Sequence, residues 1–334
     1  MAMRLPRSWV GYPAAGARGA VLVFAIIAKS SIGVGPGCPA ASWHHYREMT
    51  PARAGAWHQA KAGDDGGVGE AILVDPSRIA LWMQLKALSE AGAGVVHRWG
   101  PAAGGPPAWM HGAHQHAVPT VVACLQGVVR VYGRGRIDLQ CGEVLVVEPG
   151  CWHAHSAHKH GSTSFGMGFL AGRCDVLFFD ERQTLWGMVP EQPYRDLAER
   201  LVEEADDAQR CALATRIFAQ VLCDQARMVD WIDPEVLRMA AYLWNHLHQP
   251  INGAAVIRAA DLGRSKAHTL FKAFFGHGPK QELTVSRLLI ARHLLHRGFS
   301  VGAAAAHCGF AGRADLTRAY RHQYGHPPSA DARG

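Results

Sequence analysis

The sequence predicts a multi-domain chain, with an all-β barrel followed by an all-α domain that is built from two copies of one helical unit. Three observations support this fold class. Short apolar runs separated by Gly and Pro fill the centre of the chain, which is typical of a small barrel or jelly roll. Apolar residues recur at helical spacing over the last hundred residues. Within those residues, a short helix, a turn, a basic helix and a Gly-x-x-Pro sequence occur twice.

The charge distribution separates the two predicted domains. The formal net charge of the 334 residues is +7. Residues 234–334 contribute +8, from 13 Lys and Arg against 5 Asp and Glu, whereas residues 71–233 contribute −4. A basic domain joined to an acidic one indicates nucleic-acid binding through one domain. The eight cysteines show no CxxC spacing, which argues against a zinc finger and against a disulfide framework.

Residues 1–68 are expected to form a disordered tail, because they are rich in Gly, Ala and Pro and have no sustained period. The apolar run at 20–28 is too short to span a bilayer, which takes about 20 apolar residues. It resembles the h-region of a secretion signal, but a nucleic-acid-binding protein works inside the cell. Met49 is an alternative start, in which case residues 1–48 would not be translated.

Residues 69–182 are predicted to form the barrel. Turn residues such as Gln126-Gly127 and Pro149-Gly150 separate its apolar runs. The segment at 81–91 is either a helix or an irregular insertion. The predicted strands are 71–74, 120–125, 128–132 and 144–147.

Two histidine groups flank these strands. His114-Gln-His116 precedes the strand at 120, and Pro149-Gly-Cys-Trp-His153 follows the strand at 144. Together with Gly142, this pattern resembles the two motifs of the cupin barrel. The resemblance implies that His114, His116 and His153 match the histidine ligands of metal-binding cupins.

The glutamate ligand of those cupins has no counterpart, since Thr120 or Val121 stands at its position. Three imidazoles can still hold a divalent metal. The favoured alternative is a polar pocket that binds an organic effector without metal. The histidines that follow are predicted to lie solvated in a polar loop, with weak metal binding as the alternative; these are His155, His158 and His160.

Residues 183–229 are predicted to be a helical connector with amphipathic helices at 193–205 and 210–228. These helices either pack on the barrel or form a dimer interface, and the sequence leaves both open. Residues 229–234 are the predicted linker, because Asp233-Pro234 favours a helix start.

Residues 234–333 contain the repeat. Each copy ends in a basic helix that closes on a glycine, at Gly276-His-Gly-Pro279 and at Gly325-His-Pro-Pro328. In each copy a short Ala-rich helix and a turn precede the basic helix, which is the pattern of a helix-turn-helix. The helices are predicted at 234–247, 254–262, 280–296 and up to 307 after a Ser300 cap, in addition to the two basic helices.

This region resembles the DNA-binding domain of AraC/XylS-type bacterial transcription regulators, in which a cupin sensor is the usual partner domain. The entry to the first basic helix departs from the family pattern, because Asp261 replaces a turn Gly and Gly263 replaces a Ser. Asp261 is expected to carry a backbone cost there, since that position often needs a positive φ. The residues that carry the resemblance are Leu270, Phe271, Lys272, Gly276, Pro279, residues 287–292, Leu294, Leu295, residues 308–310, residues 316–320 and residues 325–328.

The resemblance also implies roles on the two basic helices, with solvated surface side chains as the alternative for each. Arg318 is expected to pair with guanine and Asp315 to accept from cytosine. Phosphate contacts, which position the protein without specifying sequence, are expected from Arg264, Lys266, Lys272 and Arg321. Base edges are expected to be faced by Ser265, His268, Thr269, Arg313, Ala314, Asp315 and Arg318.

The predicted function is therefore a sequence-specific, cytoplasmic transcription regulator without enzymatic activity. Its predicted partners are double-stranded promoter DNA and a small-molecule effector, with no membrane; RNA polymerase and a second copy of the chain are further candidates. No cofactor is predicted, apart from the metal alternative at His114, His116 and His153. Two other functions remain open, a cupin metalloprotein tethered to DNA and a DNA binder without sequence preference.

Overall fold

The structure is a computed structural model that describes residues 76–110, 112–155, 161–179, 184–224 and 233–332. The predicted tail, the predicted strand at 71–74, and His158 and His160 all lie outside the described residues. Most of the predicted linker also lies outside them. Among the described residues, no helix combines the length and the apolar character that a membrane span requires.

The N-terminal domain contains two β-sheets. The larger sheet has the strand order β1-β5-β2-β7-β8-β9, and the smaller has the order β4-β3-β6. Only β1 and β5 pair in parallel; the other pairs are antiparallel. The strands are β1 Val95–Trp99, β2 Thr120–Gln126, β3 Val128–Tyr132, β4 Arg136–Gln140, β5 Glu143–Val147, β6 Ala154–His155, β7 Thr163–Leu170, β8 Arg173–Phe179 and β9 Thr184–Pro190.

The two sheets enclose an apolar layer, as expected for a barrel-like domain. Val122 and Leu145 of the larger sheet pack with Val129, Val131 and Leu139 of the smaller one. Each of these five side chains is at most 3% exposed. The described strands remain in two separate sheets, so the domain is a cupin-like sandwich that is not closed into a full barrel.

The larger sheet continues past the predicted end of the barrel at residue 182. Strand β9 pairs with β8 over its whole length, from Arg173 opposite Pro190 to Phe179 opposite Thr184. Its apolar run is interrupted by Gly187, which obscures the strand pattern in the sequence. The sheet therefore includes residues that the sequence assigned to the helical connector.

Three helices cover the outer face of the larger sheet: α1 Pro76–Ala91, α2 Tyr194–Glu203 and α3 Asp207–Asp224. The segment at 81–91 is thus helical. Trp82, Ile217 and Phe218 are buried against Phe165 of β7 in one apolar cluster. The connector helices therefore pack on the sheet, and their role in a dimer stays a prediction.

The C-terminal domain consists of helices around a second apolar cluster. Asp233 caps the first helix, since its Oδ1 accepts from the Glu235 N–H at 2.8 Å, and Ser300 Oγ accepts from the Ala303 N–H at 3.2 Å. A 3-10 helix, Pro328–Ala330, follows the last helix. The helices are α4 Pro234–His246, α5 Gly253–Arg258, α6 Arg264–Phe275, α7 Pro279–His296, α8 Val301–His307 and α9 Arg313–Tyr324.

The internal repeat is present in the structure. Helices α6 and α9 each have 12 residues, and their first residues are 49 positions apart, at 264 and 313. The buried positions coincide, because Ala267 and Phe271 of α6 correspond to Leu316 and Tyr320 of α9. Both helices end on a glycine with φ of 77°.

Two details of the first copy differ from the prediction. Helix α5 ends at Arg258 rather than at 262, because the N–H groups of Ala259 and Ala260 bond to carbonyls three residues back and tighten the last turn. The expected backbone cost at Asp261 was wrong. Ala171 is the one non-glycine residue with positive φ among those described, and the Asp261 N–H donates to Glu235 Oε2 at 3.0 Å.

The corresponding turn of the second copy does need a glycine. Gly309 has φ of 71°. A Cβ at this position would lie 2.6 Å from the Leu247 carbonyl oxygen and 2.7 Å from the His248 carbonyl carbon. Since those atoms belong to the backbone after α4, the α8–α9 turn can pack there only without a side chain.

The two domains share part of their apolar packing. Leu170 at the end of β7 and Met188 of β9 are each 2% exposed and belong to the apolar cluster of the C-terminal domain. Trp186 packs against the same cluster. The C-terminal domain is therefore docked against the end of the larger sheet at which β7 and β9 terminate.

Candidate DNA-binding surface and histidine cluster

The predicted DNA-contacting residues of α6 lie outside its buried positions. The buried face is apolar, with Ala267, Phe271 and Phe275 turned to the core. Three of the predicted contact residues precede Ala267 in the first turn of the helix, and the other three occupy positions between the buried ones. All six are exposed: Arg264, Ser265, Lys266, His268, Thr269 and Lys272.

Helix α9 presents an equivalent surface. Arg313, Ala314, Arg318 and Arg321 are exposed, and Asp315 is half-buried. Their exposure makes these side chains accessible, and their contacts with DNA stay a prediction.

The sequence did not indicate that Arg318 and Asp315 pair with each other. Arg318 Nη2 donates to Asp315 Oδ1 at 2.6 Å. The Arg318 side chain is 78% exposed, and exposed ion pairs contribute about 0–1 kcal/mol. A nucleobase can therefore replace either partner at small cost.

Asp331 anchors helix α9 through Tyr320, which lies on the buried side of that helix. No sequence pattern indicated this role. Tyr320 donates its hydroxyl hydrogen to Asp331 Oδ2, and Arg292 Nε of α7 lies 3.3 Å from the same carboxylate. Burial alone would raise the pKa of Asp331, but the Tyr320 hydrogen bond and the Arg292 charge outweigh it and lower that pKa. These contacts fix α9 relative to α7.

The histidine cluster, consisting of His114, His116, His153 and His155, lies in the N-terminal domain. The His114 ring centroid is 4.3 Å from that of His153, 5.0 Å from His116 and 5.8 Å from His155. The cluster is held by a backbone bridge, because the N–H of each of His114 and His153 donates to the carbonyl of the other, at 2.9 and 3.1 Å.

Three rings of the cluster, those of His114, His116 and His153, have lowered pKa values, which favours their neutral form. Burial lowers the pKa of His114, although a hydrogen bond to the Gly112 carbonyl opposes this. Burial lowers the pKa values of His116 and His153 well below the usual range, and the neighbouring histidines lower them further. Neutral imidazoles carry a lone pair, so they are suited to accept a hydrogen bond or to bind a metal.

The grouping differs from the predicted trio. The imidazole nitrogens that lie within 4.8 Å of one another belong to His114, His153 and His155. His155 is exposed but stacks on Phe179, with 6.5 Å between centroids, so it is not an isolated solvated residue. The His116 ring instead contacts Trp244 of α4, with 4.8 Å between centroids.

A second group of polar contacts joins the domains. His307 of α8 lies buried with Nε2 at 2.8 Å from the Gly150 carbonyl oxygen and at 3.1 Å from Gln115 Oε1. The Trp152 ring lies 4.6 Å from that of His248. No local sequence pattern indicates this contact, since 192 residues separate Gln115 from His307.

Glu148 is the most buried charge in this contact, at 1% exposure. Its Oε2 accepts from His293 Nε2 at 3.0 Å and lies 3.1 Å from Arg297 Nε. Its Oε1 lies 3.5 Å from Arg98 Nε. The only local hint was an acidic residue at the end of an apolar strand, just before Pro149-Gly150.

Residues 256–334 match the family model described as a helix-turn-helix domain. The match begins within α5 and spans both exposed basic helices. The C-terminal domain is a helix-turn-helix domain. The predicted fold class is thus confirmed, as a β-sheet domain followed by a helical helix-turn-helix domain.

Known proteins similar to this chain include transcription regulators. The "probable transcriptional regulator LumQ" of Photobacterium leiognathi is 28% identical over 137 residues, which are 40% of this chain and 55% of LumQ. The chain therefore spans about half the length of that curated relative.

Among solved structures, the DNA-binding domain of AdpA in complex with a target DNA is 28% identical. That match covers 29% of this chain and 89% of the AdpA chain, with a TM-score of 0.28. ToxT of Vibrio cholerae is 9% identical, over 66% of this chain and 94% of ToxT, with a TM-score of 0.32. At such scores, neither structure defines how the two domains described above are arranged.

Proposed function

We propose that the protein is a transcription regulator that binds promoter DNA through α6 and α9, termed the recognition helices. The observation that carries this proposal is the pair of equivalent exposed basic faces, 49 residues apart, in a helix-turn-helix domain. In such domains a recognition helix enters the major groove. The two helices are expected to enter successive major grooves, about 34 Å apart along the duplex.

The N-terminal domain supplies regulation in this proposal, and the protein is not an enzyme. The histidine cluster and the contacts to the helix-turn-helix domain lie on adjoining segments, at 114–116 and 148–153. An effector that prefers one arrangement of this contact would shift the population that binds DNA. The proposal places the protein in the cytoplasm, with a second copy and RNA polymerase as candidate partners.

The test is a selection of DNA sites by the full chain from randomised duplexes, followed by competition between the selected site and random duplex. Enrichment of one motif, and tighter binding to it than to random DNA, is the expected outcome. Equal affinity for both would discard the regulator in favour of a DNA binder without sequence preference.

Two variants make this test specific to the recognition helices. A variant with Arg264→Ala and Arg313→Ala should lose affinity, since it removes one cation from each helix. A double variant with Arg200→Ala and Arg216→Ala is the matched control, because these are exposed arginines on α2 and α3 of the N-terminal domain. If the control loses as much affinity, the recognition helices are not the binding surface.

A further inference from the structure

We propose that His114, His153 and His155 bind a divalent transition-metal ion, and that this ion is the effector of the N-terminal domain. The claim of metal binding concerns the site alone, whereas the claim that the ion is the effector rests on the proposed function as a regulator. The ligand set differs from the trio that the cupin resemblance implied, because His155 replaces His116.

The three side chains converge. One imidazole nitrogen from each lies within 4.8 Å of the others. In a tetrahedral site with metal–nitrogen bonds of 2.0–2.1 Å, the nitrogens are about 3.3 Å apart. The largest separation therefore has to shorten by at most about 1.5 Å, which rotation of the exposed His155 side chain can supply.

Two of the rings are already oriented as ligands. His114 Nδ1 lies 3.1 Å from the Gly112 carbonyl oxygen, and His153 Nδ1 lies 3.0 Å from the Cys151 carbonyl oxygen. A carbonyl accepts only from a protonated nitrogen, so Nδ1 carries the hydrogen and Nε2 keeps its lone pair. Metal-binding histidines are typically held by such a backbone hydrogen bond on the other nitrogen.

His153 supplies an independent indication of a ligand. Its side chain is fully buried, and its Nε2 has no hydrogen-bond partner among the described residues. Buried polar atoms are almost always paired, so an unpaired acceptor that faces other imidazoles needs an explanation. A bound cation would supply the missing partner.

The donor set selects the class of metal. Three neutral imidazoles favour Zn²⁺, Ni²⁺, Co²⁺ and Cu²⁺, whereas Mg²⁺ and Ca²⁺ prefer oxygen ligands. With three protein ligands, a tetrahedral ion keeps one position for water or for a small anion.

The site is linked to the helix-turn-helix domain through the segment that carries His114. The next residue, Gln115, contacts His307 of α8, and His116 contacts Trp244 of α4. Drawing His114 toward a metal would therefore move two residues of the interdomain contact. This gives the ion a route to alter how the helix-turn-helix domain is docked.

Binding is tested by calorimetric titration of the metal-free full chain with Zn²⁺, with Mg²⁺ as the negative control. One saturable Zn²⁺ site per chain is expected. The His155→Ala variant should weaken binding by about 100-fold, and its exposed position favours normal folding. The His116→Ala variant should lose clearly less affinity than His155→Ala, because His116 is outside the ligand set.

Three results would overturn the site. One is the absence of saturable Zn²⁺ binding, and another is an equal loss in His116→Ala and His155→Ala. The third is an equal loss in a His158→Ala, His160→Ala double variant, which would indicate that these two histidines, rather than the proposed site, bind the ion. The visible absorption of bound Co²⁺ provides a second measurement, since it distinguishes four-coordinate from six-coordinate ions.

The claim that the ion is the effector is tested by measuring the affinity of the full chain for the selected DNA site with and without Zn²⁺. A change of at least five-fold in wild type, absent in His155→Ala, is expected for coupled sites. If Zn²⁺ binds but DNA affinity does not change, the ion is not the effector, although the metal site stands. If no DNA motif is selected while Zn²⁺ still binds, the regulator proposal fails instead.

Discussion

Glu148 of the N-terminal domain and His293 of the helix-turn-helix domain form a hydrogen bond, 3.0 Å between Oε2 and Nε2, at the centre of the interdomain contact. Arg98 and Arg297 also lie within 3.5 Å of the carboxylate. The Glu148 carboxylate therefore forms ion pairs with arginines from both domains. It is the point at which a change of charge should have the largest effect on docking.

The Glu148→Gln variant should weaken the contact between the domains. The substitution keeps the shape of the side chain but removes the charge that faces the two arginines. Since Arg98 and Arg297 are themselves 32% and 44% exposed, the expected loss is about 1–3 kcal/mol, below the figure for a fully buried pair. Differential scanning calorimetry should show unfolding of the domains in two separated transitions.

Glu143→Gln is the control for that experiment. Glu143 begins strand β5, which ends just before Glu148, but it pairs with His97 at 3.5 Å, within the N-terminal domain. A similar separation of transitions in this control would mean that Glu148 has no special role in docking.

The Gly150→Ala variant should also undock the domains, by a steric mechanism. A Cβ at Gly150 would lie 2.6 Å from Ile290 Cγ2 of α7. Gly142→Ala is the matched control, because Gly142 has a similar positive φ, 87° against 73°, and nothing lies within 4 Å of its Cβ position. Both should lose about 1–2 kcal/mol from backbone strain.

Gly150→Ala should lose about 1–3 kcal/mol more than its control, because only Gly150 meets a packed side chain. Chemical denaturation of both variants measures the difference. If the two lose the same free energy of unfolding, Ile290 moves aside and the contact is adaptable.

The stability of the protein should fall on acidification, in part through His307. Burial lowers the pKa of His307 below its ordinary value of 6.5, although the hydrogen bond to Gly150 opposes this. The unfolded chain therefore takes up the proton first, so the free energy of unfolding is largest above about pH 6.5 and decreases as the pH falls below it. A physical reason is that Nδ1 of His307 is buried and has no hydrogen-bond partner among the described residues.

Urea denaturation between pH 7.5 and 5.5 measures this dependence. His307→Gln should show a smaller decrease than wild type, because it removes one of the titrating groups. Other buried histidines keep part of the slope. His322→Gln changes an exposed histidine of α9, and a reduction in slope equal to that of His307→Gln would contradict the assignment.

Arg318→Ala and Arg321→Ala should differ in their effect on DNA specificity. Arg318 is expected to contact a base, so its loss should reduce affinity for the selected site by about 1–3 kcal/mol more than for random duplex. Arg321 is expected to contact phosphate, so its loss should weaken both complexes alike. Competition binding measures the ratio, and an equal effect of Arg318→Ala on both duplexes would exclude base contact by that residue.

The helix-turn-helix domain could be predicted from sequence because its determinants are local. The spacing of Ala267 and Phe271, the Ser300 cap and the Asp233-Pro234 start all act within one or two helical turns, and each is found in the structure. Strand β9 was missed because Gly187 interrupts its apolar run.

The interdomain contact could not be predicted in the same way. Glu148 and His293 are 145 residues apart, and nothing in the sequence around either one identifies the other. His116 and His155 show the same limit, because their spacing in the sequence does not indicate how each ring is oriented. The orientation of each ring depends on Trp244 and Phe179, which come from distant parts of the chain.

The shared apolar packing limits what any signal can do to the helix-turn-helix domain. Leu170 and Met188 would become exposed to solvent if that domain undocked. Exposing two side chains of this size costs about 1.5–3 kcal/mol each. A small tilt that keeps both covered is far cheaper than full release. In the proposed regulator, an effector should therefore tilt the helix-turn-helix domain without releasing it. Promoter occupancy should then change in a graded rather than an all-or-none manner.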